Sequence, residues 1–352
     1  MERSLGAAAA IVVITAGLHL AAGIVAPVAL ALVLVVTVAP IGRRLRARGW
    51  PAWLTTLVLL VVLYAILAVG ALTLLASVAR LASLVPTYAD ETSKLIDQIG
   101  DGLARLGVTS DQLSSVVAKL DPTRLVAFVD DLLGSALSVV GNLVFLLALL
   151  FFMGMEAGGY PRRIAGVAAE RPNLAAALRA FARGTFRYMM VSTVFGLAVA
   201  AIDGLALWAL GVPLPVLWAL LAFITNYIPN IGFFIGLVPP TLLGLLEGGP
   251  RTMLLVIALY CAINFVIQSL IQPKVVGDST NLSVTVTFLS LVFWTWVLGG
   301  LGAILAVPLT LLAKALLVDT VAQTRWAGNL LSAPAQDPPA GTEPAGDTES
   351  PR

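Results

Sequence analysis

The sequence has few charged side chains, one cysteine and one histidine. Only 11% of its 352 residues are Asp, Glu, Lys or Arg, whereas soluble chains carry about 25%. So few charges argue against a water-soluble enzyme and against a disordered chain. The lone Cys261 excludes a disulfide framework and a cysteine-based metal site, and the lone His19 excludes a histidine cluster. A net charge of +2 gives no support for a nucleic-acid partner.

The chain is instead rich in hydrophobic residues, which make up 59% of it. A helix needs about 20 mostly apolar residues to cross the hydrocarbon core of a membrane. Eight hydrophobic regions approach or exceed this length, at residues 5–20, 24–39, 53–79, 132–155, 188–210, 216–246, 253–271 and 284–318. The sequence therefore predicts an all-α polytopic membrane protein. Interruptions by proline and glycine in residues 216–246 and 284–318 predict discontinuous or re-entrant helices in its C-terminal half.

The arginines are concentrated in two connecting segments. They are Arg43, Arg44, Arg46 and Arg48 in the first segment, and Arg162, Arg163, Arg171, Arg179, Arg183 and Arg187 in the second. Short loops rich in Lys and Arg stay on the cytoplasmic side of a membrane. Residues 81–131 have an excess of acidic side chains, so we expect them to face outward. An even number of crossings then places both termini in the cytoplasm.

These patterns divide the chain into six parts. They are N-terminal transmembrane helices (1–80), an outward-facing helical segment (81–131), a transmembrane helix (132–155), a cytoplasmic amphipathic linker (156–187), a C-terminal transport core (188–320) and a disordered cytoplasmic tail (321–352). The linker carries arginines opposite an apolar face, so it either contacts membrane lipid at the headgroup surface or serves as a solvated connector.

A polar sequence interrupts the sixth hydrophobic region. Pro229 removes a backbone hydrogen bond, and irregular backbone is tolerated inside a membrane only where it is buried in protein or lines a water-filled cavity. We therefore expect this sequence to form part of a substrate path. The residues concerned are Asn226, Tyr227, Pro229, Asn230 and Gly232. The alternative is a proline kink that helps the helices to pack. The sequence also leaves two topologies open, in which residues 216–246 either cross the membrane once or fold back.

Three amide side chains follow at intervals of four residues, Asn264, Gln268 and Gln272. This spacing places them on one face of a helix. Neutral amides can exchange hydrogen bonds with a polyhydroxylated solute, or they can bond neighbouring helices. Under the first interpretation, these amides extend the substrate path.

Asp203 is the carboxylate placed deepest within a clear hydrophobic region. An ionisable side chain inside a membrane indicates a functional site by default, here a proton site or a cation ligand. The alternative is that Asp203 lies near the outer interface and reaches water.

The last hydrophobic region contains candidate hinges. Gly299, Gly300, Gly302 and Pro308 are expected to break it so that it can move or re-enter the membrane. The chain has no phosphate-binding loop of the form GxxxxGK[ST] and no HExxH or GxSxG motif in a suitable setting. We therefore predict no ATPase, no catalytic residues, no metal and no cofactor.

Several longer motifs occur in a fixed order over residues 211–314. They are Gly211-Val-Pro-Leu-Pro-Val-Leu-Trp218, Asn226-Tyr-Ile-Pro-Asn-Ile-Gly232 with Pro239-Pro240, Gln272-Pro-Lys274 with Gly277, Leu282-Ser-Val-Thr-Val-Thr-Phe-Leu-Ser-Leu-Val-Phe-Trp294, Trp296-Val-Leu-Gly299, and Ala306-Val-Pro-Leu-Thr310. In these motifs the sequence resembles the autoinducer-2 exporter (AI-2E) family of bacterial multi-pass proteins. The resemblance implies an exporter of small molecules in the bacterial cytoplasmic (inner) membrane, with the quorum-sensing signal autoinducer-2 as one candidate substrate. Some relatives resemble sodium or lithium/proton antiporters. Asp203 lies outside the motifs, so the resemblance implies no role for it.

Three hypotheses follow. The first is a secondary transporter that exports a small polar solute without ATP and is therefore not an enzyme. The second is a cation/proton antiporter in which Asp203 is the exchanging group. The third is a membrane scaffold or receptor whose outward segment, residues 85–131, binds a partner. For all three, membrane lipid is an expected partner and a homo-oligomer is compatible with the sequence.

Overall fold

The computed structural model describes residues 2–105, 122–229, 231–272 and 282–320. Asn230, Lys274 and Gly277, and the tail predicted over residues 321–352, lie outside these ranges. In chain order the helices are α1 (Glu2–Leu20), α2 (Ala22–Ala47), α3 (Ala52–Arg105), α4 (Pro122–Glu156), α5 (Tyr160–Glu170), α6 (Pro172–Ala209), α7 (Pro215–Thr225), α8 (Gly232–Asn264) and α9 (Val284–Leu317). A 3₁₀ turn, Ala157–Gly159, joins α4 to α5, and a π-helical segment, Phe265–Ile271, extends α8.

Six helical stretches within the described ranges are long and apolar enough to cross a membrane. They are Ala22–Ala47, Ala52–Ser83, Gly141–Glu170, Pro172–Ala209, Gly232–Ile271 and Val284–Leu317. Large apolar side chains remain exposed along them, for example Val61, Ile66 and Val69 of α3. Such surfaces suit a lipid environment, where exposed apolar groups carry no penalty. The all-α polytopic membrane fold is therefore confirmed.

Helices α3 and α4 form a long antiparallel pair. The Tyr64 hydroxyl donates a hydrogen bond to the Leu147 carbonyl, and Gly154 leaves room for the Leu60 side chain. With 54 residues, α3 is about 80 Å long at 1.5 Å per residue, far more than the hydrocarbon core requires. Both helices therefore extend past their apolar parts. These extensions supply most of the segment predicted over residues 81–131.

Helix α7 and residues 232–248 of α8 form the first hairpin. A Cβ atom at Gly236 would lie 3.1 Å from Thr225 Oγ1 and 3.6 Å from Ala222 Cα, and one at Gly232 would overlap the Thr225 carbonyl. The chain therefore folds straight back on itself after Thr225. With 11 residues, α7 rises about 16 Å and is too short to cross a membrane. Residues 216–246 thus fold back rather than crossing once.

A second reversal lies inside α8, at Gly249. Its φ of 69° and ψ of −169° belong to a region of backbone conformation that is essentially restricted to glycine. A hydrogen bond spans this residue: the Thr252 hydroxyl, after it in the chain, donates to the Gly248 carbonyl, before it, at 3.1 Å. Residues 232–248 and 250–264 are therefore two antiparallel helices joined by one residue.

The second hairpin is formed by α9, which reverses at Gly299 (φ 67°, ψ −148°). Its two arms, residues 284–298 and 300–317, are joined by hydrogen bonds. The Ser290 hydroxyl donates to the Ala306 carbonyl at 3.0 Å, and the Trp294 indole donates to the Thr310 hydroxyl at 3.0 Å. The expected break at Gly299 is thus present. The expected break at Pro308 is absent, because the second arm continues through this buried proline.

The turn of the first hairpin lies against the second hairpin. Ile228 and Ile231 pack in one apolar cluster with Trp294, and Tyr227 packs in another with Val297 and Leu298. Helix α6 contacts both hairpins. The core of the C-terminal half is therefore built around the meeting point of two folded-back segments.

Candidate functional site

Helix α6 holds the turn of the first hairpin in place. The Tyr188 hydroxyl donates to the Tyr227 carbonyl at 2.8 Å, and the Asn226 side chain donates through Nδ2 to the Ser192 carbonyl at 2.9 Å. The Thr193 and Tyr227 hydroxyls are 2.7 Å apart and share a further hydrogen bond. These bonds satisfy polar groups that an interrupted helix would otherwise leave unpaired in the membrane.

Replacing Tyr188 by phenylalanine is expected to destabilise the protein by about 1–3 kcal/mol, because the Tyr227 carbonyl then loses its donor in a buried setting. The measurement is the thermal unfolding midpoint in detergent. Tyr160→Phe is the matched control, since the Tyr160 side chain is exposed on α5. Equal midpoints for the two variants would contradict this role of Tyr188.

Three amides from two elements meet next to this turn. Gln268 Nε2 donates to Asn264 Oδ1 at 2.8 Å and to Asn226 Oδ1 at 3.3 Å. Asn264 Nδ2 in turn donates to the Tyr260 carbonyl at 2.9 Å. Gln268 is exposed and lies within the π-helical segment, a geometry that is often found at functional sites. We call Asn226, Asn264 and Gln268 the amide cluster.

The amide cluster borders a small cavity between α6, α7 and α8. The space open to the centre of a water molecule is about 10 Å³, room for roughly one water. Four of its lining residues are apolar or glycine, and the polar ones are Asp203, Thr225, Asn226, Tyr260, Asn264 and Gln268.

Asp203 lies in the buried part of this cavity. Its relative exposure is 0%, and neither carboxylate oxygen has a hydrogen-bond partner among the residues that the structure describes. In the described arrangement the Asp203 side chain therefore does not reach water, whereas the alternative interpretation requires it to. Tyr260, 1% exposed, lines the same cavity, and its hydroxyl likewise has no partner within the described ranges.

The structure thus brings four of the residues singled out in the sequence to one cavity: Asn226, Asn264, Gln268 and Asp203. The others lie elsewhere. Gln272 is half-buried one turn beyond the amide cluster and does not line the cavity, and the Tyr227 side chain is bonded to α6. Pro229 and Gly232 shape the turn, and Gly299, Gly300, Gly302 and Pro308 belong to the second hairpin.

Sequence reasoning missed Tyr260 and Thr225. Tyr260 precedes Asn264 by four residues, so it extends the same stripe, and its position on that face was visible in the sequence. Thr225 lines the cavity because the chain folds back after α7, and the sequence around Thr225 does not reveal this reversal. Within the described ranges, no three His, Cys, Asp or Glu side chains converge as a metal site would require.

The chain is similar in sequence to known bacterial transport proteins over most of its length. The sequence profile of the AI-2E family transporters matches residues 9–322. The AI-2 transport protein TqsA of Escherichia coli is 30% identical over 88% of this chain and 90% of its own length. A Haemophilus influenzae protein, whose name assigns it transport only provisionally, is 31% identical over 93% of this chain and 95% of its own. The chain belongs to the AI-2E transporter family.

Proposed function

We propose that the protein is a secondary transporter that moves a small polar solute past the amide cluster. The observation that carries this proposal is the double hydrogen bond of Gln268. Asn226 and Asn264 are each fixed through Nδ2 by a backbone carbonyl, and both direct their Oδ1 atoms at Gln268. When the exposed Gln268 side chain swings away, two positioned acceptors become free to bind two hydroxyl groups of a solute.

The chemistry of the amide cluster favours an uncharged, hydroxyl-rich solute. Amide oxygens accept hydrogen bonds without requiring a charged ligand. Autoinducer-2 is neutral and hydroxyl-rich, and the relative TqsA is named for its transport. It is therefore the candidate substrate. Because the cavity holds only about one water, the described arrangement is closed, and transport requires it to widen.

We place the widening at the contact between the second hairpin and the turn of the first, whose Asn226 lines the cavity. The two arms of the second hairpin are joined by Ser290 and Trp294, and Gly302 packs directly on the Trp294 carbonyl. The arms therefore move together rather than about a hinge at Gly299–Gly302. The proposed movement shifts the second hairpin as a unit against the turn of the first.

The arginine distribution sets the proposed orientation in the bacterial inner membrane. With arginines 43–48 and 162–187 in the cytoplasm, both termini are cytoplasmic and Gln268 lies toward the cytoplasmic side of its helix. Single cysteines at Glu247 and Lys274, in a Cys261-free background, are expected to react with a membrane-impermeant maleimide from outside and from inside, respectively. Labelling of both from the same side would contradict this topology.

Purified protein in liposomes provides the test of function. Uptake of autoinducer-2 should saturate, and empty liposomes should show none. Gln268→Ala removes the internal donor that competes with the solute, worth about 1 kcal/mol, so half-saturation should occur at a roughly fivefold lower concentration. Gln272→Ala, one turn farther on, is the control and should match the unmodified protein. An unchanged or raised half-saturation value for Gln268→Ala would contradict the role of Gln268.

A second candidate function, a sodium or lithium/proton antiporter, is favoured by the buried Asp203. It predicts a sodium- or lithium-dependent pH response in everted vesicles that Asp203→Asn abolishes. A response that survives this substitution would remove Asp203 from that mechanism.

A further inference from the structure

We propose that Asp203 is the proton-carrying residue of this transporter, and that proton and solute use one opening in alternation. This inference rests on the proposed solute transport and names its coupling ion. In each cycle, a proton delivered by water forms an O–H bond on the Asp203 carboxylate. The neutral acid later releases that proton to water on the opposite side, while one solute molecule crosses the other way.

The surroundings of Asp203 require a positive partner that comes from outside the cavity. The carboxylate is completely buried, and its two oxygens have no partner among the described residues. The lining side chains from α6, α7 and α8 and from the π-helical segment include one other titratable group, Tyr260, and no Lys or Arg. An unpaired carboxylate at such a site is costly. A bound cation or proton would remove that cost.

The geometry favours a proton over a metal cation. A sodium ion needs several oxygen ligands, and in the described, closed arrangement Oδ1 of Asn226 and Oδ1 of Asn264 both accept from Gln268. The Thr225 hydroxyl donates to the Ala222 carbonyl at 3.3 Å. The cavity also has room for only about one water, so a cation could not bring its hydration shell. A proton needs only the carboxylate and one water.

The polar groups are graded in exposure along one helix face. Gln268 is exposed, Asn264 is half-buried and Tyr260 is buried beside the Asp203 cavity. Eight residues separate Gln268 from Tyr260, about 12 Å along an α-helix. Water that enters when Gln268 swings away therefore reaches Asp203 past Asn226 and Asn264. A solute bound to these two amide oxygens occupies the same passage and blocks it.

Mutual exclusion of this kind couples the two fluxes in opposite directions. With a solute on the amide cluster, Asp203 cannot exchange its proton through this opening. With the opening empty of solute, it can. In the proposed cycle, solute binds only while Asp203 is ionised, and the protein returns without solute only when Asp203 is protonated. Each solute molecule that leaves is then balanced by a proton that enters, and a proton gradient drives export.

Liposomes loaded with autoinducer-2 test this inference. Acidifying the outer medium should accelerate efflux several-fold through the unmodified protein and should drive proton entry, read by a trapped pH dye. Asp203→Asn should reduce the acceleration to a ratio of about one and abolish solute-dependent proton entry. Glu247→Gln is the matched control, because Glu247 does not line the cavity, and should keep both effects. Persistence of the acceleration in Asp203→Asn would overturn the proposal.

Infrared difference spectroscopy supplies a readout that does not depend on transport, so it also decides the case in which Asp203→Asn is inactive. The unmodified protein should show a protonated-carboxyl C=O band that is absent from Asp203→Asn, kept at a shifted position in Asp203→Glu, and slower to respond to pH when autoinducer-2 is saturating. A band unaffected by Asp203→Asn would overturn the proposal. If the unmodified protein moves no solute but the band is present, the proposed function fails instead.

Discussion

Gly302→Ala is expected to prevent the second hairpin from closing and to lower the unfolding midpoint well below that of Gly300→Ala. A Cβ atom at this position would overlap the carbonyl oxygen of Trp294 and lie 3.0 Å from the Leu298 Cβ. Backbone and a Cβ cannot move aside as the end of a flexible side chain can. Overpacking of this kind costs about 1–3 kcal/mol or more.

Gly300→Ala is the matched control, because it adds the same methyl group two residues away. A Cβ atom at Gly300 would meet nothing within 4 Å, and alanine favours a helix over glycine by up to about 1 kcal/mol. Its midpoint should equal or slightly exceed that of the unmodified protein. Thermal unfolding in detergent, together with size-exclusion profiles, measures both variants. Equal midpoints for Gly302→Ala and Gly300→Ala would contradict the hairpin geometry.

The double substitution Asn226→Leu and Asn264→Leu is expected to lower the transport efficiency for autoinducer-2 about a hundredfold. Leucine removes both Oδ1 acceptors, each worth about 1–1.5 kcal/mol to a bound hydroxyl, and each 1.4 kcal/mol corresponds to a factor of ten. The measurement is the initial rate of uptake into liposomes at low solute concentration.

Membrane insertion must be checked for this double variant, because Asn226→Leu also removes the bond to the Ser192 carbonyl. An unchanged size-exclusion profile establishes that the protein is folded. Gln272→Leu, on the same face but outside the cavity, is the control and should transport normally. Normal transport by a folded double variant would place the solute path elsewhere.

Local sequence patterns predicted what depends on neighbours along the chain. Apolar runs gave the helices, and the four-residue spacing correctly placed Asn264 and Gln268 on one face, where they are bonded. The interruption after Thr225 also marks a real break. Each of these depends on a helix period or on a residue that ends a helix.

Features that depend on tertiary contacts could not be predicted from the sequence in the same way. Residues 216–246 contain enough apolar residues to cross a membrane in one helix. Only the packing of Gly236 on α7 shows that they fold back. Asp203 is 65 residues before Gln268 in the chain, so no spacing rule relates them, yet they line one cavity. Pro308 was expected to break its helix, but a helix packed on all sides tolerates one missing hydrogen bond.

Binding of solute at the amide cluster can be tested by protection from labelling. A single cysteine replaces either Gln268 or Gln272 in a Cys261→Ala background, and the rate of maleimide labelling is measured with and without saturating autoinducer-2. Autoinducer-2 is expected to slow labelling at position 268 several-fold and to leave the rate at position 272 unchanged. Equal rates at position 268 with and without the solute would contradict binding at the amide cluster.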